Sequence, residues 1–276
     1  MLRKIWRNPQ AVIGLGLIVL ICAVAILAPL LAPHAPDEVN PLMKYQAPSA
    51  DYPLGTDQLG RCELSRLLYG ARASLGLALP ILILLGGIGL ILGMMTACIG
   101  GWFDRVVTGI SQVFIAFPTL IIAVAIIGVL GNGLQNIIWA VVISHVGAVL
   151  MQLIRTYAKT ELWPGLHCCR KSVRLWNVAA YSSSFDSQYP SAVFGVFFDG
   201  RSFGHPHGFP VFSFLGLGLP SGTAEWGAML EEAQVALYSH PELLIYPGIC
   251  IFIAAAGFNL FGEALRDILQ PQEDVL

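Results

Sequence analysis

Hydrophobic positions in this chain gather into long blocks, with the polar residues confined to the stretches between them. The clear blocks are Ala11 to Ala32, Leu75 to Ile99, Val106 to Leu130, Ile137 to Ile154 and Leu243 to Phe261. A bilayer core needs about 20 apolar residues per helix, so each block predicts a spanning helix. A sixth is expected around Val193 to Leu217, and its pattern differs. Its core carries Asp199, Arg201, His205, Pro206, His207 and Pro210. Each mid-helix Asp or Arg costs about 2.5 to 3.5 kcal/mol on insertion scales, so this block inserts poorly by itself.

Charges at the block ends set the expected topology. Arg3, Lys4 and Arg7 precede the first block, whose length exceeds the roughly 7 to 15 residues of a signal-peptide core. No soluble mature domain follows, so it reads as a retained first helix. With residues 1–10 cytoplasmic, Asp104 and Arg105, Arg155 and Lys159, and Arg266 all fall inside, as the positive-inside rule asks. The division is therefore a cytoplasmic N-terminus (1–10), a first helix (11–32), an outer segment (33–74) and a membrane core (75–276).

Composition agrees with an all-α integral membrane protein of about six transmembrane helices. Charged residues make up 12% of the chain, against about 25% in soluble domains, and the mean hydropathy is +0.71. A net charge of −2 without a long Lys/Arg run supplies no electrostatic footprint for nucleic acid. The six cysteines, at 22, 62, 98, 168, 169 and 250, match no zinc or redox spacing. Cys22, Cys98 and Cys250 lie in apolar blocks, where thiols act as small hydrophobes.

Ionisable residues are scarce within the clear blocks: His145 is there, and no Asp, Glu, Lys or Arg. Ion-driven carriers need buried carboxylates, histidines or broken-helix carbonyls for the coupling ion. A chain this bare offers a path and takes its energy from elsewhere. His145 admits two readings, a weak metal ligand in a pore or a packing histidine bonded to a neighbouring carbonyl. A secondary carrier or channel remains as an alternative, although no inverted repeat or polar relay is evident. A membrane enzyme would need convergent acids or a nucleophile at one membrane face.

The outer segment holds the first specific string, Leu54-Gly55-Thr56-Asp57-Gln58-Leu59-Gly60-Arg61, followed after Cys62-Glu63 by Leu64-Ser65-Arg66-Leu67-Leu68-Tyr69-Gly70-Ala71-Arg72. Gly55 and Gly60 punctuate a turn. The following spacing predicts a short amphipathic helix on the membrane surface.

As a string, this resembles the inner-membrane permeases of the peptide and nickel branch of ABC importers. Further matches are Phe212 to Gly218, Thr223 to Leu230, and Phe258 to Asp267, and with the helix order they cover about four-fifths of the chain. Cys62 stands where the family pattern has an aspartate. Thr223 to Gly227, with Ser239-His240-Pro241 and Tyr246-Pro247-Gly248, is more similar to nickel or metallophore permeases than to dipeptide permeases.

The resemblance implies a six-helix subunit of the bacterial inner membrane, with no catalysis and no cofactor in this chain. It pairs with a second homologous permease, receives nickel, a metal chelate or small peptides from an outer substrate-binding protein, and is driven by two ATP-binding subunits. Phe117, Pro118 and His145 are candidates for the translocation path. The family's ATPase-coupling loop follows the fourth helix and carries an Ala-Ala pair, a glycine four residues on and a proline about thirteen after that. Here it should begin near Arg155 to Glu161, and the sequence then departs from the pattern over roughly residues 162–211.

The departure constrains its own codons. Read one base later, Trp163-Pro164 and Trp176-Asn177 must each give glycine. In the same frame Cys169-Arg170-Lys171 can give Ala-Ala, Arg174 can give glycine, and Ser187 to Ser191 can give Pro-Asn-Ile-Leu-Pro. These fall at the family's spacing. Glu161, Cys169, Arg170 and Arg174 thus mark the coupling-loop candidate. Two explanations stand, translation out of frame with compensation before Phe212, or a divergent loop. Under the first, the chain is a permease by descent that cannot dock its ATPase.

Overall fold

The computed structural model describes residues 5–131, 133–145, 155, 208–220 and 222–269. Among these the protein is all-α, with no strand and one isolated bridge between Thr56 and Cys62.

Helix α1, Pro9–Leu31, starts where Asn8 supplies the cap: its side-chain oxygen accepts from the amides of Gln10 at 2.9 Å and Ala11 at 3.4 Å. Pro9 at the first helical position has no N–H to leave unsatisfied. The buried positions Ala11, Gly14, Ile21, Ala25 and Ala28 form one stripe of mostly small residues, which lets a second helix approach closely. That neighbour is α8, Glu242–Leu269, which lies alongside α1.

Helix α2, Glu63–Ile99, is 37 residues long. At 1.5 Å per residue it reaches about 55 Å, well beyond a bilayer core of about 30 Å. The short surface helix expected before Leu75 and the span expected from Leu75 are therefore one continuous helix, and the boundary drawn at 74 falls inside it. Nothing between Glu63 and Leu75 breaks the helix, because the stretch contains no proline and its one glycine, Gly70, packs on Trp226.

The block expected as one span from Val106 to Leu130 is two helices, α3 (Gly101–Ala116) and α4 (Thr119–Leu130), bent by 96°. The break falls at Phe117-Pro118, where proline holds the preceding residue extended (Phe117 φ −110°, ψ 144°). Helix α5, Leu134–His145, covers the described part of the next block. Two short helices follow, α6 (Gly208–Phe214) and α7 (Trp226–Ala233). Among the described residues three helices, α1, α2 and α8, are long and apolar enough to cross a membrane, and the bent α3–α4 pair makes up to four. Most of the expected sixth block lies outside the described residues.

Two apolar clusters organise these helices. In one, Leu77, Ile81 and Leu85 of α2 meet Ala123 and Ile127 of α4, Ile137, Ala140, Val141 and Val142 of α5, and Phe212 of α6. In the other, Ile21 and Ala25 of α1 and Leu67 and Ala71 of α2 meet Trp226 and Met229 of α7. Helix α2 joins both, and its N-terminal third carries α7.

Candidate functional site

The polar strings converge at the N-terminal end of α2. Gly60 adopts φ +76°, and a side chain there would overlap the carbonyl of Asn40, so glycine is required for the turn. The turn closes on Asp57, whose Oδ1 accepts from the amides of Leu59 at 2.8 Å and Arg61 at 2.9 Å. Its Oδ2 accepts from Arg61 Nε at 2.6 Å and Arg66 Nη1 at 2.8 Å.

Glu232, near the end of α7, completes the group. Its carboxylate bonds Arg61 Nη2, and accepts from Arg66 Nη1 at 3.0 Å, Gln58 Nε2 at 3.2 Å and the Gly222 amide at 2.7 Å. The guanidiniums also donate to backbone carbonyls, Arg61 to Gly222 at 3.3 Å and Arg66 to Thr223 at 3.4 Å. Two arginines thus face two carboxylates, both guanidiniums almost wholly buried (Arg61 2%, Arg66 1% exposed). Burial pushes the Glu232 carboxyl upward, but Arg66 and Arg61, with the Gly222 amide, outweigh it and hold it below the ordinary carboxylate range. Buried charges persist only when paired and hydrogen-bonded in this way.

A second set of hydrogen bonds lies beside the ion pairs. Glu225 caps α7, accepting from the amides of Gly227 and Ala228 at 2.9 Å each, and it also accepts from Ser74 Oγ of α2 at 2.8 Å. Trp226 Nε1 donates to the Leu67 carbonyl at 3.0 Å. Together these bonds tie the segment ahead of α2, helix α7 and the N-terminal end of α2 into one cap.

At the opposite end of the helices, Arg155 pairs with Asp104 in the first turn of α3, through Nε to Oδ1 and Nη2 to Oδ2 at 2.9 Å. Both residues were expected on the cytoplasmic side, and the structure brings them into contact.

The other candidates are placed as follows. Phe117 and Pro118 form the α3–α4 break, with Phe117 exposed. His145 ends α5, its Nδ1 lying 2.9 Å from the Val141 carbonyl and 3.1 Å from Ser144 Oγ. Glu161, Cys169, Arg170 and Arg174, with His205 and His207, lie outside the described residues. Among the described residues no group of three or more His, Cys, Asp or Glu is placed to hold a metal ion.

The ionic cluster itself was missed. Asp57, Arg61 and Arg66 were read as an interfacial turn and surface helix, and Glu232 was not singled out. The available signal was a balanced set of charges in two polar strings flanking apolar blocks, since unpaired charges there would be costly.

Residues 1–48 match the family model described as the N-terminal TM domain of oligopeptide transport permease C. The chain is 32% identical over 261 residues to the nickel transport system permease protein NikC of Escherichia coli K12, covering 94% of this chain and 93% of that one. It is 30% identical over 272 residues to the dipeptide transport system permease protein DppC of Alkalihalophilus pseudofirmus, covering 98% and 88%. The metal-staphylopine import system permease protein CntC of Staphylococcus aureus is 32% identical over 283 residues, covering 98% and 93%.

Proposed function

Because the chain belongs to the permease subunits of the peptide and nickel branch of ABC importers, we propose that it forms half of a translocation path for nickel, a metal chelate or small peptides. Its partners would be a second homologous permease, two ATP-binding subunits that hydrolyse the ATP, and an outer substrate-binding protein, assembled in the bacterial inner membrane. The observation that carries this reading is the near full-length likeness to permeases of those substrates. The hydrogen-bonded cap supports it by giving a surface at the face where substrate would arrive. Phe117, Pro118 and His145 are proposed for the path, and the chain from Glu161 through Cys169, Arg170 and Arg174 for the ATPase contact.

Uptake of labelled nickel against labelled dipeptide, in a strain lacking the chromosomal copy, tests the substrate. Nickel or chelate uptake restored by this chain supports the metal reading, and restored dipeptide uptake overturns it.

The codon pattern favours a second reading, in which residues 162–211 are out of frame and this chain does not couple to its ATPase. Reading the DNA one base later tests it. A family-like Ala-Ala, glycine and proline series is expected, and a stop codon or unrelated peptide would sink the idea. Failure of both uptakes, with recovery from a frame-corrected gene, would place the defect in that segment.

A further inference from the structure

The ring of His240 is held from three sides. Its backbone lies in the turn between α7 and α8, the amide donating to the Ala236 carbonyl at 2.7 Å and the carbonyl accepting from the Leu243 amide at 3.3 Å. Tyr45 stacks on its face, with ring centroids 4.4 Å apart and planes 3° from parallel. Glu242 meets its edge, with Nδ1 3.0 Å from Oε1. Tyr45 is fixed in turn: its amide donates to the Asp57 carbonyl at 3.1 Å, and it packs against the cluster of Ala233, Ala236 and Leu243. It is also the one non-glycine residue with a positive φ among the described residues, at +51°. A bulky side chain rarely takes that backbone angle, and such outliers gather at ligand clamps and active sites.

The bonding pattern decides which ring nitrogen can take a ligand. An ionised carboxylate only accepts, so the Nδ1 that faces Glu242 carries the ring proton and, in the neutral ring, the lone pair is on Nε2. A carboxylate behind an imidazole in this way orients metal-binding histidines and makes the opposite nitrogen a better donor to a metal. The His240 side chain is 31% exposed, so a ligand can reach it. His34 makes the contrast: it stacks on Tyr52 at 4.5 Å, but its Nδ1 is buried without a hydrogen-bond partner.

One imidazole holds a bare ion weakly, since protein sites for transition metals supply three or four ligands, and among the described residues no group of three or more His, Cys, Asp or Glu is placed to do so. It suffices for a metal whose other positions are already filled. We propose that His240 is a coordination site for a chelated divalent transition metal, with Nε2 taking a position that the chelator leaves open and Tyr45 and Glu242 as positioning residues. The step is a ligand exchange: Nε2 donates its lone pair to the metal, a bound water leaves, and no oxidation state changes. Only the further step, that such a chelate is cargo, rests on the importer reading.

The test is binding of copper(II) iminodiacetate to the full chain in lipid nanodiscs, read by pulsed electron paramagnetic resonance, in which the remote nitrogen of a coordinated imidazole gives its own modulation. Copper is the probe because it binds nitrogen ligands most tightly among the first-row divalent metals. The unaltered chain should show the imidazole signature, and His240→Gln should lose one equivalent of it. His240→Phe, which keeps a ring on Tyr45, should lose the same equivalent, so that the loss is not a folding defect. His34→Gln should keep it. Glu242→Gln should weaken binding about tenfold without removing the signature, which a merely structural role for the pair would not produce. The copper–EDTA complex, which leaves no position for an imidazole, should not bind. An undiminished signature in His240→Gln, or binding of the EDTA complex, overturns the site. Two or more imidazole nitrogens on bare copper(II), all lost in His240→Gln, would reveal a complete protein site and overturn the restriction to chelates. Uptake of a labelled metal chelate by the unaltered chain reports separately on the importer reading, and its failure leaves the binding result standing.

Discussion

Arg66 Nη1 lies 3.0 Å from the carboxylate of Glu232, joining the head of α2 to α7 across 166 positions of sequence. Asp57 shares the same guanidinium nitrogen at 2.8 Å, so the pair is the centre of a cluster of two arginines and two carboxylates.

Removing one member should cost more than the pair contributes, because the remaining charges stay buried. Glu232→Gln leaves Asp57 as the one carboxylate bonded to both arginines and is expected to destabilise the cap by roughly 3 kcal/mol. Thermal unfolding in detergent should show the loss. A midpoint within a degree of the parent would argue that water already neutralises the arginines.

The cluster also sets an acid limit. The Glu232 carboxyl is held below its ordinary value, so it contributes stability that is fully present above the unfolded value of about 4.3 and is lost as pH falls through the lower folded value. Amide exchange around Gly222 and Thr223 should therefore stay slow from pH 8 to 5 and quicken, after correction for intrinsic rates, below about pH 4. Loosening already at pH 6 would contradict this assignment.

Helix α1 offers a paired test of close packing. A Cβ at Gly14 would sit 2.5 Å from the Phe261 amide nitrogen and 2.9 Å from its Cα, and the backbone of α8 has no flexible end to move aside. Gly14→Ala should cost roughly 1 to 3 kcal/mol. Gly16, with open space around it, should accept alanine with no loss. Equal melting of the two variants would rule out the α1–α8 contact as described.

Cys62 occupies the cap of α2 without a side-chain bond to the helix. Cys62→Asp supplies an oxygen for the amides of the first turn and is expected to stabilise the chain by about 1 kcal/mol. A lowered midpoint would show that burying another carboxylate beside Glu63 outweighs the cap.

Much of the chain was legible from local pattern. Ala11 to Ala32 and Leu243 to Phe261 announced α1 and α8, because a run of apolar side chains with no charge has one stable place in a bilayer, a helix that satisfies its own backbone. Gly60 announced its turn because only glycine tolerates that backbone angle without strain. The continuity of α2 was less legible, since Arg66 and Arg72 look like surface charges until a partner for Arg66 is known.

The sequence by itself determined the all-α membrane class, the positions of α1 and α8 and the family likeness. Each depends on side-chain polarity or strings of neighbouring residues, which are local properties. Only the tertiary structure decided that Asp57, Arg61 and Arg66 meet Glu232 and that Asp104 meets Arg155. Those outcomes depend on which distant helix supplies the opposite charge or the space, and no local pattern carries that information.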